Sequence, residues 1–192
     1  MTMITDIFST DKKYSIIYAD PPWSYTDKCH AGKRGAEYKY PCMNIQGIGR
    51  LPVSAIADRD CVLFLWVTFP MIAEGLKTIE SWGFKYKTIA FNWIKQNKKS
   101  DSLFWGMGNW TRSNSEICLL AVKGNPKRIA ANVHSVIMSP IEGHSKKPDE
   151  ARNRIVQLMG DLPRIELFAR QTADGWDAWG NEVPASVTME GL

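Results

Sequence analysis

The tetrapeptide Asp20-Pro21-Pro22-Trp23 gathers two hydrogen-bond acceptors and an aromatic ring within four residues. Two consecutive prolines cannot continue a β-ladder; they fix the backbone and direct the Asp20 carboxylate and the Pro21 carbonyl away from the strand before them. Two acceptors side by side suit an amino group with two N–H donors, such as the 6-amino group of adenine, whose lone pair is delocalised into the ring and poorly nucleophilic. If each acceptor takes one N–H, the nitrogen turns toward tetrahedral geometry and its lone pair can be aimed at an electrophile such as a sulfonium methyl. Trp23 would then lie against the face of the base. Such a methyl is already activated, so orientation and an outlet for one proton suffice, with no metal and no covalent nucleophile. The same four residues also fit a plain structural reading, a rigid turn with an aspartate cap and a packed tryptophan.

The elements around this tetrapeptide must present it. Short apolar runs recur at Ser15 to Ala19, Cys61 to Val67, Phe84 to Ile94, Glu116 to Val122, Ser135 to Met138 and Arg164 to Ala169. Most are apolar at both alternate positions, as strands buried on both faces of a largely parallel sheet are. Helical spacing of Ile72, Leu76 and Ile79 between Pro70 and Gly83 predicts one covering helix; Pro148, Asp149 and Glu150 open a second, which buries Ile155, Leu158 and Met159 and stops at Gly160. A short helix is expected around Val53 to Ala57. The fold class is therefore α/β, a mostly parallel sheet flanked by helices. Asp20 follows the first strand immediately and so falls at its carboxyl end, the edge where open α/β sheets bind ligands.

With 192 residues, 44% of them hydrophobic, a single domain over 1–183 is expected, with long loops at 24–50 and 96–114 and a flexible tail at 184–192. No apolar run of membrane-spanning length and no secretory leader pattern are found, so a cytoplasmic protein is expected. Cys29, Cys42, Cys61 and Cys118 form no CxxC pair, and neither a disulfide nor a metal site is expected; His30 near Cys29 and Cys42 is no exception. The net charge of +4 is mild, but its placement is informative: Lys28, Lys33, Arg34 and Lys39, then Lys95, Lys98, Lys99 and Arg112, then Lys123, Lys127 and Arg128 lie in three polar stretches. Aromatics interleave them (Tyr25, Tyr38, Tyr40, Phe104, Trp105, Trp110), a pattern that suits phosphate gripping and base stacking and equally suits solvated surface charge. Trp66, Trp82 and Trp93 end or lie within apolar runs and are read as core.

The segments YSIIYADPPWSY, YPCMNIQGI, LFLWVTFP, WGFKYKTIAFNWIK, GMGNWTRSNSEICLLAVKGNPKR, HSKKPDE and IELFARQTADGWDAWGNEV occur in this order from Tyr14 to Val183. Together they resemble the adenine amino-methyltransferase family with the DPPW signature, the MT-A family typified by the catalytic subunit of the eukaryotic mRNA adenosine methyltransferase, and most closely its bacterial and phage members. The resemblance implies a Rossmann-like S-adenosylmethionine-dependent methyltransferase fold with permuted motif order, the DPPW element preceding the cofactor strand. It makes Asp20, Pro21, Pro22 and Trp23 the catalytic element. It assigns cofactor binding to Asp6, Ile7, Asp20, Arg170, Gln171, Thr172, Asn181 and Glu182, the last two holding the ribose hydroxyls. The loops around Tyr40 and around Trp110 to Ser115 match two loops that close over cofactor and base. At Ser115 the eukaryotic enzyme carries a lysine near the cofactor carboxylate, so Arg112 or Asn114 is expected to stand in for it.

The expected activity is transfer of a methyl from S-adenosylmethionine to the 6-amino group of adenine in DNA, by a monomer or homodimer. Lys33, Arg34, Lys98, Lys99, Arg112, Lys146 and Lys147 are expected to contact nucleic acid, and Tyr40 and Trp110 to stack on it, with Asn114 and Ser115 nearby. Two alternatives stay open: the same reaction on RNA, and a catalytically inactive nucleic-acid-binding partner subunit, which the family also contains.

Overall fold

The computed structural model describes residues 6–23, 43–108, 110–143, 146–180 and 183. Its centre is a seven-stranded sheet of β1 Tyr14–Ala19, β2 Ala57–Val67, β3 Lys85–Gln96, β4 Glu116–Lys123, β5 Val136–Pro140, β6 Arg164–Leu167 and β7 Asp177–Trp179, in the spatial order β5-β3-β4-β2-β1-β6-β7. Among the described strands, β4 alone runs against its neighbours; β1 pairs in parallel with both β2 and β6, β3 with β5, and β6 with β7. Chain direction reverses at the centre: β1 leads to β2 on one side, while β6 leads to β7 on the other. A crevice at the carboxyl ends of β1 and β6 follows from that reversal.

Alternation along the central strands sorts the core into two layers. Ile17, Leu63, Leu65, Leu119 and Ile165 face α1 Ile45–Arg50 and α3 Ile72–Ser81, packing with Ile48, Ile79 and Trp82. Ile16, Tyr18, Val62, Phe64, Trp66 and Cys118 face α4 Glu150–Met159, packing with Ala151, Ile155 and Met159. Each fully buried side chain of this kind contributes about 1.5–3 kcal/mol, and burial on both faces is why the runs carry few polar positions. A short helix α2, Val53–Ile56, leads into β2. Trp66, Trp82 and Trp93 are core residues, each with its indole N–H bonded, to Tyr18 Oη, the Ile48 carbonyl and the Ser139 carbonyl. No described helix is long and apolar enough to cross a membrane.

Three boundaries differ from the sequence expectation. The stretch 24–50 ends in α1, whose start is set by the Asn44 side chain accepting the Gly47 N–H at 2.6 Å; two glycines hid this cap and the Ile45/Ile48 spacing. β6 stops at Leu167, because Phe168 takes a left-handed φ of 61° that no strand tolerates. β7 was missed because three residues between turns give no period.

Gly75 sits in the middle of α3, where glycine costs about 1 kcal/mol relative to alanine. It faces β2, and a Cβ there would stand 2.6 Å from Val67 Cγ1. Gly75→Ala is therefore expected to lower stability by about 1–3 kcal/mol in urea titration, the cost of overpacking outweighing the gain in helix propensity; an unchanged or higher midpoint would contradict this close approach.

Candidate active site

Asp20 leaves the end of β1 at the reversal point, its N–H donating to the Leu167 carbonyl of β6 at 3.4 Å. Its carboxylate does not stand alone. Lys147, on the segment leading into α4, donates to both Asp20 oxygens at 2.9 and 2.8 Å and lies 3.2 Å from Glu116 Oε2 at the start of β4. Lys95 near the end of β3 pairs with the other Glu116 oxygen. Four alternating charges from β1, the α4 approach, β4 and β3 thus run along the carboxyl edge. All are shielded from water, the Lys147 side chain 8% exposed and that of Asp20 19%.

Burial sets the electrostatics of this chain of charges. It raises the Asp20 carboxyl further than Lys147 pulls it back, so Asp20 lies above the ordinary carboxylate value. Burial works against the Lys147 ammonium too, but Asp20 and Glu116 more than reverse this and raise it. For Glu116, burial is overcome by Lys147 and Lys95, which bring it down to about 2. The Asp20–Lys147 pair is ionised at neutral pH, because one ammonium meets three carboxylate oxygens. Asp20 is then the more basic of the two anions.

A pH dependence follows. A carboxyl held below its ordinary 4.5 adds stability above that value and loses it as pH falls toward 2, whereas Asp20, raised on folding, works the other way as it takes up its proton. The urea midpoint is expected to fall between pH 4.5 and 2, and less steeply in Glu116→Gln. Equal slopes in both proteins would remove Glu116 from the balance.

Two clefts meet at Asp20. One, of about 190 Å3, is walled by Asp20 to Trp23, Trp66, Val67, Thr68, Glu116, Lys147 and Arg170. The other, of about 110 Å3, lies on the α4 side between Tyr18, Arg152, Glu166, Phe168 and Gln171, and shares Asp20, Lys147 and Arg170 with the first. Arg152 closes on Glu166 at 2.7 Å, so that pair is neutral.

The expected site residues take these positions. Trp23 is buried yet lines the first cleft, and its indole N–H donates to the Trp66 carbonyl at 3.0 Å, satisfying its one donor inside the core. The Pro21 carbonyl already accepts the Trp23 N–H at 2.9 Å and so keeps one lone pair for another donor. The Pro22 carbonyl accepts the Met43 N–H. Lys147 is turned inward, not toward phosphate, and Lys146 is engaged by Glu142 and Asp149 at 2.6 and 3.0 Å. Asn114 is spent on the backbone of Lys95 and Phe104, and exposed Arg112 donates to Met107 Sδ; neither lines a cleft. Ser115 is half-buried beside Glu116 and lines neither cleft. Lys98, Lys99 and Trp110 are exposed on the β3–β4 segment. Arg170 lines both clefts and Gln171 one, donating to Asp149 at 3.3 Å, while Thr172 is exposed and lines neither. Asp6 binds the Phe8 N–H and the Ser9 hydroxyl in a turn that buries Ile7 and sets Phe8 edge-on to Trp179 at the end of β7. Lys33, Arg34, Tyr40, Asn181, Glu182 and His144 lie outside the described residues. The Asp20–Lys147–Glu116 linkage was missed altogether, since nothing in one chain's spacing ties residues so far apart.

An open, mostly parallel sheet with one antiparallel strand and a carboxylate at its reversal point is consistent with the Rossmann-like fold of S-adenosylmethionine-dependent methyltransferases. The residues present fit S-adenosylmethionine. Asp20 and Arg170 offer opposite charges to a zwitterionic amino-acid end, Phe168 makes the tight turn after β6, and the buried Trp179 indole N–H has no partner among the described residues. The MT-A70 family profile matches residues 14–182. The chain is 37% identical over 191 residues to the Type II methyltransferase M.MunI of a Mycoplasma species, covering 90% of this chain and 79% of that one. It is 30% identical over 175 residues to the human N(6)-adenosine-methyltransferase catalytic subunit METTL3, and 30% over 182 residues to an Arabidopsis thaliana MT-A70-like N(6)-adenosine-methyltransferase. These matches cover 89% and 93% of this chain but only 28% and 24% of those longer proteins. The chain belongs to the MT-A70 family, whose members are S-adenosylmethionine-dependent N6-adenine methyltransferases.

Proposed function

We propose that this protein methylates the 6-amino group of adenine in DNA, with Asp20 and the Pro21 carbonyl as the two acceptors that orient the amine. The observation that carries this reading is the Asp20 carboxylate, fixed at the sheet's reversal point by two hydrogen bonds from Lys147 and followed at once by the proline-locked carbonyl. S-adenosylmethionine supplies the methyl on a sulfonium that needs no further activation. Asp20 takes one amino N–H and Pro21 the other, so the nitrogen lone pair is freed from the ring and points away from both. Asp20, raised by burial, is the nearer of the two anions to accepting the proton the nitrogen sheds.

Asp6, Ile7, Arg170, Gln171, Thr172, Asn181 and Glu182 remain the proposed cofactor contacts. The Asp6–Ser9 turn beside Trp179 supports the first two, and the clefts support Arg170 and Gln171. Asn181→Ala is expected to weaken binding of the demethylated cofactor product by about 1–3 kcal/mol through lost ribose hydrogen bonds, measured by calorimetry; unchanged affinity would remove Asn181 from the site. DNA is favoured over RNA by the match to a bacterial Type II methyltransferase across most of both chains. The intact Asp20 to Trp23 element argues for an active enzyme over an inactive partner subunit. The test is competition between equal amounts of duplex DNA and RNA for labelled cofactor: label is expected in DNA, and label mainly in RNA would shift the assignment.

A further inference from the structure

On the segment that joins β3 to β4, three large apolar side chains stand in solvent: Trp105 is 62% exposed, Met107 78% and Trp110 100%. Scattered single exposures need no explanation, but two tryptophans and a methionine within six residues form a patch that calls for a partner. The backbone beneath them is braced to keep them out. The Gly106 N–H donates to the Ser113 carbonyl at 2.7 Å, and the Ser113 hydroxyl donates to the Met107 carbonyl at 3.2 Å. The Asn114 side chain accepts the Lys95 N–H and donates to the Lys95 and Phe104 carbonyls. At Gly108 a Cβ would stand 2.0 Å from the Thr111 carbonyl oxygen, so only glycine permits the return of the chain. The result is a ribbon that projects its apolar side chains while both of its roots, Lys95 and Glu116, are anchored in the charge chain that holds Asp20.

The charge on the same segment identifies the partner. Lys98, Lys99 and Arg112 are exposed there, with Asp101 the single acidic residue between β3 and β4. Apolar side chains flanked by cations, beside a site that must receive one base, match a polyanion with a stacked interior. We infer that Trp105, Met107 and Trp110 form a wedge for duplex nucleic acid. Trp105, with Met107 and Trp110, enters the base stack next to the target adenine, and Lys98, Lys99 and Arg112 rest on the flanking phosphates. The inference rests on the proposed function: an adenine amine reaches Asp20 only after leaving its base pair, and an apolar side chain in the vacated step keeps the gap from closing.

The test compares single-turnover methylation of one target adenine in a matched duplex and in the same strand alone, for the wild type, Trp105→Ala, Met107→Ala and Trp105→Phe. The ratio of duplex to single-strand rate is expected to fall about tenfold in Trp105→Ala, less in Met107→Ala, and to recover in Trp105→Phe. A duplex with 2-aminopurine at the target should brighten with wild type and less with Trp105→Ala. Rates on both substrates falling together would overturn the wedge, as would an unchanged ratio. So would light scattering in which a wild-type dimer is split by Trp105→Ala, because the patch would then be a protein interface. Failure of the wild type to methylate either substrate would overturn the proposed function, and the wedge with it.

Discussion

Asp20→Asn is expected to lower the single-turnover rate of methyl transfer a hundredfold or more in a protein that remains folded. The substitution keeps the shape of the side chain and one oxygen for Lys147, whose ammonium still has Glu116 3.2 Å away; the second oxygen is lost, so some stability goes with it and urea titration checks that the variant is folded at the assay condition. What it removes is the anion that accepts an amino N–H and takes its proton. An amide can turn its own N–H toward the amine and cannot hold the shed proton. Loss of one preorganised contact of this kind costs 10²–10³ in turnover. The cofactor affinity of the variant, read by calorimetry, separates loss of chemistry from loss of binding. A folded Asp20→Asn protein with near-normal turnover would remove Asp20 from the reaction.

The second large effect is expected at Lys147. In Lys147→Met the methylene chain is kept and the ammonium lost, which removes the cation between Asp20 and Glu116 and leaves Glu116 its ion pair with Lys95. Breaking a buried ionic network by removing one partner costs about 3–5 kcal/mol, which urea titration reads directly. Catalysis is expected to suffer by a separate route. Without Lys147, Arg170 remains but less offsets the burial that raises Asp20, its carboxyl holds a proton at higher pH, and the acid limb of the pH–rate profile moves upward. Lys147→Arg should restore stability in part and return the limb toward its wild-type place. A lysine that served the fold alone would change the urea midpoint and leave the profile where it was, and that outcome would contradict the positioning role.

Much of the fold was legible because its strands are buried on both faces. The runs around Ile16, Phe64 and Leu119 carry no polar alternation, as strands covered by helices on both faces do, whereas Arg164 and Glu166 alternate with Ile165 and Leu167 in β6. β7 and α1 escaped because each is too short for periodicity to register, and the α1 start depends on one asparagine side chain. Asp20 was legible as a candidate from chain chemistry, as proline-locked sequence directly after an apolar strand, and the resemblance to the DPPW family decided between that and a plain turn. Its partners were not. Lys147 read as one of two exposed basic residues, because an ammonium's destination depends on where α4 docks relative to β1 and β4, which is tertiary information. Trp23 was legible only in part for a related reason: an indole suits a base face and a core equally, and the Trp66 carbonyl that takes its N–H lies on another strand.

The role proposed for Asp20 and Pro21 turns on the atom that receives the methyl group. Wild-type protein and Asp20→Asn, each incubated with labelled S-adenosylmethionine and duplex DNA of mixed sequence, can be compared after digestion to nucleosides and chromatography of the labelled products. The predicted result is a single labelled species from the wild type, N6-methyl-2′-deoxyadenosine, and at least a hundredfold less of it from the variant. Label on the cytosine amine or on a ring nitrogen, or equal labelling by both proteins, would contradict the assignment of Asp20 and Pro21 as the acceptors that orient an adenine amine.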